Sequence, residues 1–207
     1  VGAGSGRFRH LFDRCDYFAH DFALEPGTKG RYTELDYVSD ICCLPIGDDE
    51  FDVALCTEVL EHVPNPIDAV REIGRILKPG GILLLSAPLG SFLHQEPYHF
   101  YGGFTPYWYR KYLPEVASIE VASIERNGGF FRYFSQEAQR FHALLDPRQT
   151  FSLTKAWPLL AVLWVLSLPI MRFGLQLLCR WLDRLDLEAE ATIGFHIVGI
   201  KSSSMRG

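Results

Sequence analysis

The residues of this sequence that could do chemistry are a glycine-rich start, several acids and a group of histidines. The chain opens Val-Gly-Ala-Gly-Ser-Gly, a run in which the backbone can turn tightly and bring its N–H groups close to a ligand. Asp21 follows Gly6 by fifteen residues, and a carboxylate there can accept hydrogen bonds from both hydroxyls of a ribose. Further on, Asp40 could accept from the amino group of a purine while Ile41 covers the ring face.

The spacing of the first glycines separates several kinds of ligand-binding turn. The dinucleotide-binding pattern G-x-G-x-x-G needs a small residue where this chain has Arg7. The phosphate-binding loop ends in Gly-Lys-Ser/Thr, whereas Arg7 and Phe8 follow Gly6 here. The pattern that remains, G-x-G-x-G, is that of the turn that holds the amino-acid part of S-adenosylmethionine, and an ordinary glycine-rich loop is the alternative. We therefore predict a cofactor turn that comprises Gly2, Ala3, Gly4 and Gly6.

Short apolar runs predict strands that end at these candidate residues. Strands are expected at 16–21, 37–40, 51–56 and 82–86. Cys56 and Thr57 join the predicted cofactor residues because they lie at the carboxyl end of the strand 51–56. Strands that alternate with helices favour a parallel sheet with helices on both faces. Ligands of such sheets lie beyond the carboxyl ends of the strands, so the candidate residues should share one rim.

Helices are expected between the strands. One should cover Arg7–Arg14, and another should begin at Pro66 after a capping Asn65 and end at Gly80–Gly81. A third should open at Thr105–Pro106 and run towards Leu113.

Three longer motifs carry a resemblance to a known family. Residues 40–53, Glu58–Val63 and Leu77–Gly81 are similar to the core of the class I S-adenosylmethionine-dependent methyltransferases, closest to the ubiquinone/menaquinone-biosynthesis type of small-molecule methyltransferase. The similarity covers roughly residues 1–115 and the last strand. It implies a Rossmann-like, doubly wound, mostly parallel seven-stranded sheet with an antiparallel edge strand, and S-adenosyl-L-methionine as the cofactor. Because the chain starts at Val1 without an initiator methionine, we expect a truncation within the first strand.

A second segment narrows the expected acceptor. Residues 94–100 and 104–108 resemble a pattern in bacterial methyltransferases associated with cell-surface glycan or lipid assembly, although that family usually has Asp where His99 stands. We therefore expect methyl transfer to an oxygen or carbon of a small or lipid- or glycan-linked acceptor.

Two histidines are the candidate catalytic residues. Transfer to a hydroxyl needs a base, and imidazole has an unperturbed pKa of about 6.5, close to working pH. His62 lies just past the strand 51–56, and His94 lies in the loop after the strand 82–86. Bonding to the backbone at a helix start is the alternative for His62, and we expect His20 and His99 to be structural.

Two functional alternatives stay open. Glu58, Glu61 and His62 with a later histidine resemble the metal-dependent enzymes that methylate the 2′-hydroxyl at RNA 3′ ends, and helical spacing would put the three on one face. The net charge of −5 argues against a nucleic-acid partner, and we expect no metal ion. The other alternative is a non-catalytic, methyltransferase-like binding subunit that acts through residues 129–190.

Residues 129–190 fall outside the resemblance. We expect residues 1–128 with 191–203 to form the cofactor-binding domain, and 129–190 to be a helical insertion that serves as a lid, a dimer contact or a membrane-surface element. The run 156–171 has no charge, but Pro158 and Pro169 leave only Leu159–Leu168 uninterrupted, about half of a bilayer's roughly 30 Å. We therefore expect no membrane crossing.

Beyond Pro169 a polar stripe is predicted at every fourth residue, which could lie against an anionic membrane surface; packing on the sheet or in a homodimer is the alternative. Its members are Arg172, Gln176, Arg180 and Arg184. The run 191–201 should return as a strand beside 118–124, at the antiparallel edge. Five cysteines without metal-ligand spacing favour the cytoplasm, with membrane contact through 156–186 left open.

Overall fold

The structure is a computed structural model that describes residues 1–22, 34–147, 157–186 and 191–203. The chain divides into two compact units. The first unit comprises Val1–Glu125 and Gly194–Gly207, and the second comprises Arg126–Ile193.

The first unit contains two β-sheets. In the smaller sheet β1 and β2 pair in parallel, with His20 opposite Tyr37. In the larger sheet, of order β3–β4–β6–β5, β3 and β4 are parallel, whereas β4 and β6 are antiparallel. The strands are β1 (His20–Asp21), β2 (Tyr37–Val38), β3 (Phe51–Thr57), β4 (Leu77–Pro88), β5 (Ile119–Arg126) and β6 (Gly194–Lys201).

The predicted seven-stranded, mostly parallel sheet is not what the described residues form. They form a four-stranded mixed sheet beside a two-stranded one. The first residues of the chain connect the two sheets. The amino group of Val1 donates to the Leu55 carbonyl of β3 (2.8 Å), and the N–H of Ala3 donates to the His20 carbonyl of β1 (2.9 Å). Strand β6 does pair with β5, as expected, but it lies between β4 and β5, so β5 forms the edge.

Two helices cover the larger sheet, α1 (Pro66–Ile76) and α2 (Pro106–Ala117). Helix α1 buries one apolar stripe, and α2 begins at Pro106 as expected. The predicted end of α1 at Gly80–Gly81 is too late, because Leu77 is already extended and pairs with Phe51 of β3. The core between helices and sheet includes Leu60, Val70, Ile73, Leu83, Tyr109, Leu113 and Ile119.

Two local predictions about helices are wrong, one about an N-terminal cap and one about the first helix. Asn65 makes no side-chain cap, because its side-chain amide donates to the Asp68 carboxylate instead. The predicted helix Arg7–Arg14 is a single 3₁₀ turn, Arg9–Leu11. None of the residues of that turn is buried, so the described part of the chain provides no tertiary packing that would extend it into an α-helix.

The second unit is a helical hairpin. Its first arm is α3 (Phe130–Leu144), and its second is one long helix made of α4 (Trp157–Pro169), a π-turn (Ile170–Gly174) and α5 (Leu175–Leu182). The expectation that Pro169 interrupts the helix is wrong. Pro169 keeps helical torsion angles, and the π-turn directly after it accommodates the local irregularity. The stretch Pro158–Leu182 is long and apolar enough to cross a membrane, by length and composition alone.

Candidate cofactor site and the adjoining histidine cluster

The glycine turn is held by the acid that ends β1. The backbone N–H of Gly4 donates to Asp21 Oδ2 at 2.8 Å, and within the turn the N–H of Gly6 donates to the Ala3 carbonyl at 2.8 Å. Gly2, Gly4 and Gly6 have φ values of 65°, 48° and 67°, in the left-handed region that favours glycine. The turn and Asp21 therefore form one hydrogen-bonded unit.

Gly2 is also required by a close approach. A Cβ atom added at Gly2 would lie 2.2 Å from Cγ2 of Val59, whereas one added at Gly4 would meet no atom of the described residues within 4 Å. Val59 lies just beyond the carboxyl end of β3, so Gly2 brings the turn against that strand end.

A cavity of about 430 Å³ opens beside this turn. That volume lies within the range of about 300–1,000 Å³ that is common for small-molecule sites. The lining comes from the ends of β1, β2 and β3 and from the loop after β4. The lining residues are Gly2, Gly4, Ser5, His20, Asp21, Phe22, Asp40, Ile41, Glu58, Val59, His62, Val63, Pro64, Gln95, Tyr98 and Phe100.

The cavity brings together part of the predicted site. Of the cofactor residues, Gly2, Gly4, Asp21, Asp40 and Ile41 line it, and so does the candidate base His62. The lining does not include Ala3, Gly6, Cys56, Thr57 or the second candidate base, His94.

The Cys56 side chain is fully buried within the apolar core. Burial raises the pKa of its thiol to about 12, so this cysteine is neutral at physiological pH.

The loop that carries Asp40 is fixed at both ends. Asp40 Oδ1 accepts from the N–H of Cys42 at 2.8 Å, which shapes the turn after β2. Further along, Arg75 of α1 donates to the carbonyls of Leu44 (3.1 Å) and Ile46 (2.7 Å). Glu72 accepts from the N–H of Leu44 at 3.0 Å and pairs with Arg75. Helix α1 thereby positions the segment that presents Asp40 to the cavity.

Three histidines cluster where the loop after β4 meets the turn after β3. The ring centroids of His62 and His94 lie 4.8 Å apart, those of His94 and His99 4.6 Å, and those of His62 and His99 5.7 Å. His99 is expected to be structural, and its Nε2 lies 2.9 Å from the Ser91 hydroxyl. Burial and the neighbouring His94 lower the pKa of His99.

Backbone carbonyls fix the ring tautomers of the two candidate bases. His62 Nδ1 lies 2.6 Å from the Tyr98 carbonyl oxygen, and His94 Nδ1 lies 2.8 Å from that of Phe92. A carbonyl can only accept, so each Nδ1 carries the hydrogen and each neutral ring has its lone pair on Nε2. That nitrogen is the one suited to take a proton or bind a metal ion.

Glu61 lies under this cluster and is almost completely buried. Burial raises the pKa of its carboxyl to about 7, and its Oε2 has no hydrogen-bond partner among the described residues. One ligand atom each from Glu61, His62 and His94 lies within 4.8 Å of the other two, a spacing that could hold a metal ion. This set shares Glu61, His62 and a later histidine with the predicted one, but it lacks Glu58, which was expected on the same helix face.

Glu58 lies elsewhere because the chain does not form the expected helix there. Glu58 has φ of 53°, and only Leu60–His62 form a 3₁₀ turn. Its carboxylate accepts from the Ser86 hydroxyl at 2.8 Å, so Glu58 is tied to β4 while it lines the cavity.

Sequence reasoning missed the aromatic wall of the cavity. Tyr98 and Phe100 line it, and the rings of Phe22 and Tyr98 lie edge-to-face with centroids 6.4 Å apart. Tyr98 and Phe100 belong to the segment 94–100, which resembles a pattern in bacterial methyltransferases. The spacing of aromatic residues around His99 was the available signal.

Comparison with known proteins finds similarity in the first part of the chain. Residues 1–85 match the family described as a methyltransferase domain. A ubiquinone biosynthesis O-methyltransferase of Xanthomonas axonopodis is 32% identical over 111 residues, which cover 52% of this chain and 45% of that protein. The chain spans less than half the length of the curated relatives it matches.

Solved structures share the fold. An S-adenosylmethionine-dependent methyltransferase from Methanosarcina mazei superposes with a TM-score of 0.52 at 17% identity, covering 98% of this chain and 91% of its own. The [4+2]-cyclase SpnF superposes with a TM-score of 0.55 at 20% identity, covering 99% of this chain and 73% of its own. At these identities the likeness is one of fold.

Proposed function

We propose that this chain, a member of the class I S-adenosylmethionine-dependent methyltransferases, binds S-adenosylmethionine in the cavity beside its glycine turn. It transfers the methyl group to an oxygen or carbon of a small or lipid- or glycan-linked acceptor. The observation that carries the proposal is the joint lining of one cavity by Gly4, Asp21 and Asp40. Gly4 belongs to the glycine turn, Asp21 ends β1 and Asp40 follows β2, so three separate parts of the chain supply this lining.

The residues present fit the parts of the cofactor. The Gly2–Gly6 turn offers close backbone approach for the amino-acid part, because its glycines leave the space that side chains would fill. Asp21 supplies the acceptor for ribose hydroxyls, and Asp40 with Ile41 supplies an acceptor and an apolar face for the adenine. When bound, S-adenosylmethionine supplies an electrophilic methyl group on a sulfonium.

His62 and His94 are the proposed bases for a hydroxyl acceptor. The carbonyl contacts at their Nδ1 atoms direct each Nε2 lone pair to the proton-accepting role. His62 lines the cavity, and His94 lies next to Gln95, which does. Holding the acceptor in line contributes up to about 7–11 kcal/mol to such a reaction, and a positioned base contributes about 10²–10⁴-fold.

The test is methyl transfer from tritium-labelled S-adenosylmethionine to a panel of phenols, catechols and lipid extracts. We expect label in the organic phase for at least one acceptor class, and we expect Asp40→Ala to lose this label transfer. A matched control is Asp52→Ala, at an exposed carboxylate that pairs with Lys78. Label transfer that is unchanged in Asp40→Ala would contradict the proposed site.

Metal-dependent transfer to a hydroxyl is the second candidate, and the Glu61–His62–His94 cluster favours it. A divalent ion there would lower the pKa of a bound hydroxyl and would neutralise the buried Glu61 carboxylate. Activity that is abolished by chelator and restored by a divalent ion would select this route. Activity that is indifferent to chelator would select the histidine base.

Expectations about other substrates, a non-catalytic role, location and assembly also remain proposals. An RNA substrate fits poorly with the net charge of −5. A non-catalytic binding role predicts cofactor binding without transfer to any acceptor. A cytoplasmic location, membrane contact through 156–186 and a homodimer are compatible with the proposed activity.

A further inference from the structure

A few polar side chains of the second unit bond across its helical hairpin. Gln176 Nε2 donates to the Ser135 carbonyl at 3.2 Å, and the Ser135 hydroxyl donates to Gln176 Oε1 at 3.1 Å. His142 Nε2 lies 2.7 Å from the Ser167 hydroxyl, and Trp164 Nε1 donates to the His142 carbonyl at 2.9 Å. The predicted polar stripe is therefore divided, because Gln176 bonds across to α3 rather than facing outward with the arginines.

The open end of the hairpin is closed by backbone-to-carboxylate bonds. Asp183 accepts from the N–H groups of Gly129 and Arg132, each at 3.0 Å, and Asp186 accepts from that of Phe130 at 2.7 Å. Together with the contacts of His142 and Ser135, these bonds align α3 antiparallel to residues 164–183. Hydrogen bonds therefore hold α3 and the long helix together.

The outer face of the long helix is a continuous apolar row. Its spacing of three and four residues puts the members of the row on one side of α4, and each side chain is more than half exposed. The row continues past the π-turn and covers about 33 Å at 1.5 Å per residue. We call it the outer row: Leu159, Val162, Leu163, Leu166, Ile170, Phe173, Leu177 and Trp181. Helix α3 adds exposed Phe130, Phe134, Phe141 and Leu144.

Helix α4 has apolar side chains on all sides, and nothing in the described residues buries the stretch that contains it: in Pro158–Leu182 the most apolar window is 0% buried. A helix apolar all round is stable where its surroundings are apolar too. A protein partner would cover one face, whereas lipid covers every face that α3 leaves open. The occupant that fits is the hydrocarbon of a bilayer.

The charges decide how the hairpin meets that bilayer. Glu137 and Arg140 lie on α3 between the residues that bond to Gln176 and to Ser167, alongside the middle of the long helix, and a crossing would bury both. With the hairpin parallel to the membrane plane, these side chains face water while the outer row enters the acyl region. The described part of the second unit also carries six arginines against four acids, which favours anionic lipid.

We propose that the second unit is a monotopic membrane anchor whose long helix lies in the plane of the bilayer interface, with the outer row among the acyl chains. The ligand is the phospholipid bilayer. This anchor is independent of methyl transfer, so loss of either property would leave the other intact.

Vesicle flotation of the full chain tests the anchor. The probes are vesicles of phosphatidylcholine alone and of phosphatidylcholine with phosphatidylglycerol. We expect the chain to float with both, more with the anionic mixture, and the triple variant Leu163→Gln/Leu166→Gln/Ile170→Gln to lose at least about tenfold in partition, since each substitution removes an apolar side chain from lipid. The matched control is Tyr107→Gln, at an exposed side chain of α2 in the first unit, which should float like the wild type.

Measurements of depth in the bilayer distinguish a long helix that lies in the plane of the interface from one that crosses the membrane. Single tryptophans at Leu159, Leu166 and Phe173, in a background with the four native tryptophans replaced by phenylalanine, are quenched by lipids brominated at different depths. Lying in the plane predicts equal depth at all three positions, whereas a graded depth would show a crossing and overturn the proposal. Circular dichroism checks the fold, and wild-type flotation stands even if the tryptophan background fails to fold. Absence of flotation with both vesicle types, or a stable dimer that does not float, would also overturn it.

Discussion

The N–H of Gly4 donates to the Asp21 carboxylate at 2.8 Å, so the residue that ends β1 also fixes the glycine turn beside it. Asp21 and Gly4 both line the cavity, and Asp21 comes seventeen residues later in the chain. The turn is therefore set by β1 as well as by its own glycines. A change at Asp21 should affect both the proposed contact with the ribose and the shape of the turn.

The first prediction concerns the close approach at Gly2. Gly2→Ala should cost about 2–4 kcal/mol of unfolding free energy, because its Cβ would lie 2.2 Å from Val59 Cγ2 and its φ is 65°. Gly4→Ala, with open space around its Cβ, should cost only about 1–2 kcal/mol for the left-handed backbone. Denaturant unfolding measures both.

A double-mutant cycle completes this test. Val59→Ala removes the methyl group that meets the new Cβ, so the double variant Gly2→Ala/Val59→Ala should recover part of the loss. Equal costs at Gly2 and Gly4, or strict additivity in the cycle, would mean that Val59 does not constrain the turn.

The second prediction concerns the segment that presents Asp40. Arg75→Ala should lower the unfolding free energy by about 2 kcal/mol, since it breaks charge-assisted bonds to Glu72 and bonds to two loop carbonyls. Arg71→Ala, at an exposed pair with Asp68, is the matched control and should change it by less than about 1 kcal/mol. A comparable loss in both variants would argue against the role of Arg75 in holding the loop.

The third prediction is the pH dependence of that ion pair. The hydrogen bond from Arg75 lowers the pKa of Glu72, so the folded state favours the carboxylate. Its contribution to stability is present above the unfolded pKa of about 4.3 and is lost as the pH falls through the folded value. Unfolding of the wild type and Glu72→Gln should differ most near pH 6 and should converge in acid. A difference that stays constant down to pH 3 would show that Glu72 acts without titrating.

The fourth prediction concerns the Glu61–His62–His94 cluster. If it holds a divalent ion, Co²⁺ should bind with a visible ligand-field spectrum, and His62→Ala and His94→Ala should each weaken binding by about 10–100-fold or more. His196→Ala, at an exposed histidine of β6, should leave the affinity unchanged. A spectrum that persists in both cluster variants would place any bound ion elsewhere and would leave the histidines to act as bases.

The residues that line the cavity beside the glycine turn carry local signals. Asp21 and Asp40 follow apolar runs that predict strands, Gly2 and Gly4 belong to a glycine-rich run, and all four line one cavity. The histidine cluster was not predictable as a cluster. His94 and His99 belong to a loop between β4 and α2, and only tertiary structure brings them to His62.

Other features depend on local backbone geometry and strand pairing, which the pattern of residue types does not show. The position of Glu61, buried at the base of the cluster, follows from the 3₁₀ turn that replaces the expected helix. The continuity of the long helix past Pro169 follows from a π-turn with no sequence signature that we recognised. The seven-stranded sheet was expected by resemblance, whereas β1 and β2 are only two residues long and pair apart from the larger sheet.

The central claim is that the cavity beside Gly4 and Asp21 binds S-adenosylmethionine, and equilibrium binding of the tritium-labelled cofactor to the full chain tests it most directly. We predict saturable binding by the wild type, a loss of at least about tenfold in Asp21→Ala, and no change in the exposed-site control Asp52→Ala. Circular dichroism verifies that each variant is folded. A folded wild type that shows no saturable binding up to millimolar cofactor, or equal affinity in Asp21→Ala, would contradict the account.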